Sequence, residues 1–173
     1  MRFNNQCDLI VTKSLQKWAI LKTCCFPADG KSFLSLYKTY IRPILEFSFY
    51  LWQPNITQMK RIEKVQKAVF KFIGRKSGLY DANYDELLIL LNEHKLDTRR
   101  KHKILTFVQK CKQKSGEIPE AWLEMFKFVK TSRFGTKLEI PKTRKSLCDK
   151  NFFVFASNLY NKLPKEHKDK NAL

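Results

Sequence analysis

Apolar side chains recur at steps of three and four along most of this chain, the period of a helix face and not of a strand. Residues 8–23 give a first predicted helix, with Ile10 or Val11, Leu15, Trp18 and Leu21 on one side. The stretch FPADGK (26–31) interrupts it with turn formers, and Asp29 is placed to cap the next helix. That second helix is expected over 31–52, lined by Phe33, Leu36, Tyr37, Tyr40, Ile41, Ile44 and Leu45. Pro43 lies inside it. Proline lacks the ladder N–H and its ring meets the carbonyl four residues back, so a kink is expected there. Pro54 then stops the chain, and Asn55 is a cap for a third helix.

That third helix, QMKRIEKVQKAVFKFIGRK over 58–76, has two unlike faces. Met59, Ile62, Val65, Val69, Phe72 and Ile73 form an apolar side suited to a core. Lys60, Lys64, Lys67, Lys71 and Arg75 succeed one another at steps of four, three, four and four, which stacks them in one stripe. Like charges so placed repel, and the stripe costs stability unless something anionic lies against it. Glu63, between Lys60 and Lys67, is expected to be their partner within the helix.

Further on, GRKSGLYDAN (74–83) reads as a linker and 84–92 as a short helix with acid in its first turn, where the helix dipole favours it. Residues 95–116 form a helix capped by Asp97 or Thr98, with Ile104, Leu105, Phe107, Val108 and Cys111 on its apolar face. Pro119 opens another helix through EAWLEMFKFV. Residues 130–150 are expected to be irregular and basic, with only KLEI (137–140) alternating like a strand. NFFVFASNLYNKL is a last helix, ending before Pro164. The expected fold is mostly α, a small domain of six or seven helices. It divides into a lobe at 1–78 and a C-terminal lobe at 79–173, or packs as one domain.

Composition sharpens this picture. Of 173 residues 43% are hydrophobic, with 14 Phe and 3 Trp, enough for a packed core, and five Gly are too few for a disordered chain. The formal net charge is +18, which favours association with nucleic acid or acidic lipid and is silent about fold. The charge is concentrated. Residues 58–76 hold seven Lys/Arg and one Glu, residues 95–114 eight and one Asp, and residues 126–150 eight against Glu139 and Asp149. Residues 80–94 hold four acids and no Lys or Arg. Blocks of this kind suggest a binding surface.

Within the second block, Arg99, Arg100, Lys101 and Lys103 fall in the first turn of their helix, where cations oppose the dipole and an anion nearby would be favourable. RRKHK also reads as a nuclear import signal. Arg144 and Lys145 are the candidates in the third block. Tyr37, Tyr40, Tyr50 and Trp52 are assigned to the core ahead of base stacking, because they keep the apolar period. His102 is expected in solvent. Five cysteines, odd in number and without a Cys-x-x-Cys pair, argue against a disulfide framework or zinc site and for a reducing intracellular setting, cytoplasmic or nuclear. The N-terminus has no signal-peptide core, and no apolar run reaches the roughly 18 residues of a membrane span. No nucleophile–base pair, glycine-rich phosphate loop or metal cluster stands out, so neither catalytic residues nor a cofactor are expected.

LYKTYIRPILEFSFYLWQP followed by IEKVQKAVFKFI resembles the region after the polymerase palm in LINE-type (non-LTR) retrotransposon reverse transcriptases, especially the jockey and CR1-like groups. Leu36, Tyr37, Ile41, Pro43, Leu45, Glu46, Trp52, Pro54, Ile62, Glu63, Val65 and Gln66 carry the likeness, with Phe47 where the family has Tyr. LLILLNEHKLDTRRKHK is similar to the family's Leu-rich helix and paired arginines, and FFVFASNLYNKLP to its closing aromatic helix, with Tyr160 in place of Trp. The resemblance spans roughly residues 8–165. It implies a thumb-like segment that packs on a template–primer duplex and pairs with a polymerase palm. The palm's Asp-Asp turn is absent, since all seven aspartates stand singly, and two-metal chemistry needs clustered carboxylates. The expectation is a non-catalytic, sequence-tolerant binder of RNA or RNA–DNA hybrid, a C-terminal piece of a retroelement protein. The alternatives are a helical interaction bundle with incidental charge and, less favoured, a peripheral membrane binder, whose apolar face the core would claim.

Overall fold

The computed structural model describes residues 4–47, 53–114, 118–131, 135–140, 151–164 and 168. Its elements are α1 (Asn4–Cys24), α2 (Gly30–Leu36), a π-helical turn (Tyr37–Ile41), α3 (Arg42–Leu45), α4 (Ile56–Lys76), α5 (Tyr84–Leu90), α6 (Leu96–Lys112), α7 (Glu120–Met125), β1 (Phe128–Thr131), β2 (Gly135–Leu138) and α8 (Phe152–Asn161). α2, the π turn and α3 run on without a break, so the described residues hold seven helical runs and one antiparallel strand pair. The protein is mostly α. Two compact units divide it: Met1–Phe49 with Pro54–Arg99, and Tyr50–Gln53 with Arg100–Leu173.

Short polar side chains start three helices of the first unit. Asp29 accepts from the Ser32 N–H to open α2. Asn55 opens α4 with a reciprocal box, its Oδ1 taking the Gln58 N–H while Gln58 Oε1 takes the Asn55 N–H, both at 2.8 Å. Asn83 and Glu86 repeat the device at α5. α4 ends at a left-handed Gly78, φ +77°, where the Leu79 N–H bonds the Gly74 carbonyl and the Gly78 N–H that of Arg75. Gly74 has a second role. A Cβ there would stand 2.7 Å from Leu87, so its absence lets α5 lie close on α4.

At Pro43 the helix changes register. The Arg42 N–H reaches back five residues to the Tyr37 carbonyl, so the extra residue of a π turn is inserted just before the ring that would have met the Thr39 carbonyl. Upstream and downstream of it Phe33, Tyr37, Ile41 and Leu45 are buried at steps of four, while Tyr40 is 49% exposed. In α1 the buried positions are Cys7, Ile10, Ser14 and Trp18. The helix thus starts before residue 8, and Leu15, expected inside, lies outside. Trp18, Phe33 and Phe72 meet edge to face with centroids 5.0–5.8 Å apart, the arrangement their quadrupoles favour.

Polar groups of α4 are drawn into this core. Gln66 is 1% exposed. Its Oε1 accepts from the Tyr37 O–H, and its amide donates to Tyr84 Oη at 2.9 Å and the His94 carbonyl at 3.0 Å. Burial, and then the nearby Glu93 charge, raise the Tyr37 phenol far above its ordinary pKa, so it stays a donor. Close by, Glu93 is buried under Lys38 at 2.9 Å, Arg42 at 3.3 Å and Arg99 at 3.5 Å, and Arg99 also holds Glu46 at 2.7 Å. Half-buried Glu63 is another polar group of α4 turned inward, and its partners lie on α5 and α6.

The second unit packs Ile104, Val108, Cys111, Phe126, Leu138, Phe152, Ala156 and Tyr160 into one core. Phe107 meets Trp122 and Phe152 edge to face at 5.5 and 5.9 Å. The helix expected through EAWLEMFKFV stops at Met125, and FKFV turns into strand. Phe126 is buried and Phe128 half-buried while Lys127 and Val129 face solvent, a period of two that overrides the weak helix signal. β1 pairs with β2, Phe128 opposite Leu138. Asn161 of α8 stands in for a further strand, bonding both the N–H and the carbonyl of Leu138 at 2.9 Å. The basic segment expected to be irregular is therefore partly a hairpin, and residues 141–150 lie outside the described residues, as do 48–52 of the second predicted helix.

Replacing Gln66 with Leu leaves the Tyr37 O–H and the His94 carbonyl unpaired in a dry core. The expected loss is about 2–4 kcal/mol, read as a lower urea midpoint with an unchanged slope.

Candidate nucleic-acid interface

α4 is 21 residues long, and from Lys60 to Arg75 it rises about 22 Å. Lys60, Lys64, Lys67, Lys71 and Arg75 are all exposed. Ile62, Val65, Val69 and Ile73 are buried on the other side, with Phe70 joining them and Phe72 half-buried. The stripe is thus a continuous outward face, carried by a helix capped at both ends. Among the described residues none of its five cations has a carboxylate within ion-pair distance.

The remaining charges of this block are accounted for differently. Arg61 pairs with Asp8 at 2.5 Å. Lys76 donates to the Phe26 carbonyl at 2.6 Å. Glu63, expected as the partner of Lys60 or Lys67, turns inward. Its Oε1 accepts from the Tyr84 O–H and its Oε2 from the Leu96 N–H at 3.0 Å. Leu96 is the first residue of α6, so a carboxylate from α4 satisfies an N–H left over at that helix end, which also favours negative charge. The cap expected from Asp97 or Thr98 is supplied by another helix instead, and Asp97 lies inside the first turn. Burial raises the Glu63 pKa, opposed in part by these two hydrogen bonds. With Glu63 withdrawn, the surface of α4 carries its positive charge undiluted. Lys67 sits 5.9 Å over the Tyr84 ring.

The second block divides. Arg99 is engaged by Glu46 and Glu93. Burial works against its charge, but the Glu46 hydrogen bond and the two carboxylate charges outweigh this and raise its pKa. Arg100 is 4% exposed, donates to Gln53 at 2.6 Å and stacks 5.5 Å from the Phe155 ring. For Arg99, the anions that a first-turn arginine favours are the protein's own. Lys101 is exposed and Lys103 half-buried. Arg144 and Lys145 lie outside the described residues, as do Tyr50 and Trp52. His102 is exposed. The structure therefore lines up the five α4 candidates, engages Arg99 with acids of its own unit and engages Arg100 with Gln53 and Phe155.

A pair of cations that sequence reasoning passed over, Lys22 and Lys76, meets at Phe72. Their convergence depends on α1 lying against α4, and no spacing in the chain signals it. Among the described residues no group of three His, Cys, Asp or Glu side chains is placed to hold a metal ion. No helix of the described residues is long and apolar enough to cross a membrane. Comparison with protein-family models, curated protein sequences and solved structures finds no match for the chain.

Glu63 imposes a pH dependence of defined sign. Its folded pKa is raised above the ordinary 4.5, so between the two values the folded state holds more protons than the unfolded chain. Stability contributed at this site is greatest below 4.5 and falls as pH rises to the folded value, then levels. Glu63→Gln removes that slope. Urea midpoints of the two proteins across the acidic range check it: their difference changes with pH in this window, and a constant difference would show that Glu63 titrates normally.

Proposed function

We propose that the exposed face of α4 binds the phosphate backbone of a nucleic acid, RNA or an RNA–DNA hybrid, without reading its bases and without chemistry of its own. The observation that carries this is the stripe itself. Five cations in line, over about 22 Å, lack carboxylate partners among the described residues, while Arg61, Lys95, Lys38, Arg42 and Arg99 of the same unit have them. A stripe of like charge raises the free energy of the folded protein, and an external polyanion relieves it. In a phosphate backbone such a line of cations finds charges at a spacing finer than its own, so register is not demanding. Contacts of this kind position the partner and carry no sequence information.

This reading agrees with the resemblance to the thumb region of LINE-type reverse transcriptases, in which the segment holds template and primer for a palm. We assign the chain that non-catalytic, holding role, with Arg99 and Arg100 keeping its helices in place and the α4 cations facing the ligand. An intracellular location, in cytoplasm or nucleus, accords with such a partner.

The test is a salt titration. Affinity for a short RNA or RNA–DNA duplex should fall with a log–log slope of about −0.7 to −0.9 per phosphate contacted. Replacing Lys64, Lys67 and Lys71 with Gln should flatten the slope by roughly two to three units, equally for unrelated sequences, with the fold intact. Replacing the exposed Lys13, Lys17 and Lys162 is the control. Equal weakening by both triple variants would mean a general positive coat, and no salt-dependent binding would leave an interaction bundle as the better reading. Primed RNA with magnesium or manganese should show no nucleotide incorporation; activity that accompanies the purified protein would overturn the non-catalytic assignment.

A further inference from the structure

Phe72, at the end of α4, is a meeting point. Its ring packs T-shaped with Trp18 and Phe33 at 5.2 and 5.0 Å, and two ammonium groups lie against it, Lys22 at 5.3 Å and Lys76 at 5.9 Å from its centroid. The two cations are therefore no further apart than those two distances combined. Neither has a carboxylate partner among the described residues. Each occupies the last turn of its helix, where the dipole favours a cation. That explains one lysine per helix, but not the convergence of both on one ring.

Lys76 is also immobilised. It donates to the Phe26 carbonyl at 2.6 Å and sits 4.0 Å over the Phe26 ring. Two of its three donors remain for a ligand, and little side-chain freedom is left to lose on binding. Phe26 itself is 59% exposed, with a cation on one face and, among the described residues, no other ring packed on it. An aromatic ring covered by a cation on one side and open on the other is a platform for a flat, electron-rich group. The corner thus offers two cations gathered at one ring beside a stacking surface.

We propose that this corner holds one unpaired nucleotide, its phosphate between Lys22 and Lys76 and its base on Phe26. The inference rests on the backbone-binding reading of α4, because Arg75, the last cation of the stripe, and Lys76 share the last turn of that helix, so a strand that follows the stripe ends within a turn of the corner. Along the stripe itself the one ring among the described residues that meets a cation is Tyr84, already occupied by Lys67 and Glu63. Stacking is therefore offered at the end of the track and not along it.

The experiment compares a short blunt RNA duplex with the same duplex carrying a few unpaired nucleotides, one of them 2-aminopurine. The wild-type protein should bind the extended duplex about five-fold tighter or more, the lower range of one stacked base, and the 2-aminopurine emission should be quenched. Phe26→Leu should abolish both effects and leave blunt-duplex affinity unchanged, and Phe26→Trp should retain them. Lys22→Gln with Lys76→Gln should flatten the salt slope by about one unit for the extended duplex only. Equal affinity of the wild-type protein for both duplexes, or a Phe26→Leu loss that is the same for both, overturns the proposal. Retention of the α4 salt slope on blunt duplex in that case would show that the corner fails alone. Absence of any salt-dependent duplex binding would remove the reading on which it rests.

Discussion

Gln66 is the side chain on which the first unit turns. A buried amide in the middle of a helix is costly unless each of its groups is met. Here Tyr37 from the π turn donates to its oxygen, while Tyr84 of α5 and the His94 carbonyl accept from its nitrogen. Three separate stretches of chain are thereby fixed to one position on α4. Apolar packing alone would allow them to slide, since Leu, Val and Phe side chains accept many neighbours. A set of matched donors and acceptors accepts one register. Glu63 extends the same network one turn toward the N-terminus and ties in the start of α6.

That internal demand for negative charge shapes the outside. Glu46, Glu63 and Glu93 are all turned inward, toward Arg99, Tyr84 and the Lys38–Arg42 pair. The Glu63 carboxylate, drawn inward, is missing from the outward face of α4, which is left as a cationic surface. Stability and surface charge are coupled in this sense. The groups that hold α4 in place are the ones whose withdrawal leaves its lysines without partners. The same logic separates two kinds of cation in the first unit. Those beside buried acids serve the fold, and those of the α4 stripe are available to a polyanion.

The helical character, the cap at Asn55, the cap at Asp29 and both faces of α4 are legible from one-dimensional spacing, because each depends on residues three or four apart in the same helix. The burial of Phe126 and Phe128 was also written in the alternation FKF, but a two-residue period over so short a stretch competes poorly with EAWLEM just before it. Leu15 and Tyr40 fit their apolar stripes and still face out. Several side chains satisfy a helical period, and the position of the neighbouring helix selects among them.

What the sequence determined by itself is the helix content, the surplus of positive charge and the alignment of five cations on α4, since backbone geometry places residues at i, i+4 and i+7 on one side whatever surrounds them. The tertiary structure alone decided which of these charges meet an acid. Arg99 and Lys71 are alike in one dimension, each a cation in a basic block. Arg99 meets Glu46, 53 residues earlier in the chain, and the buried Glu93 as well, while Lys71 meets no carboxylate among the described residues. Ion pairing depends on distance in space, and its energy falls too steeply with separation for chain position to reveal it.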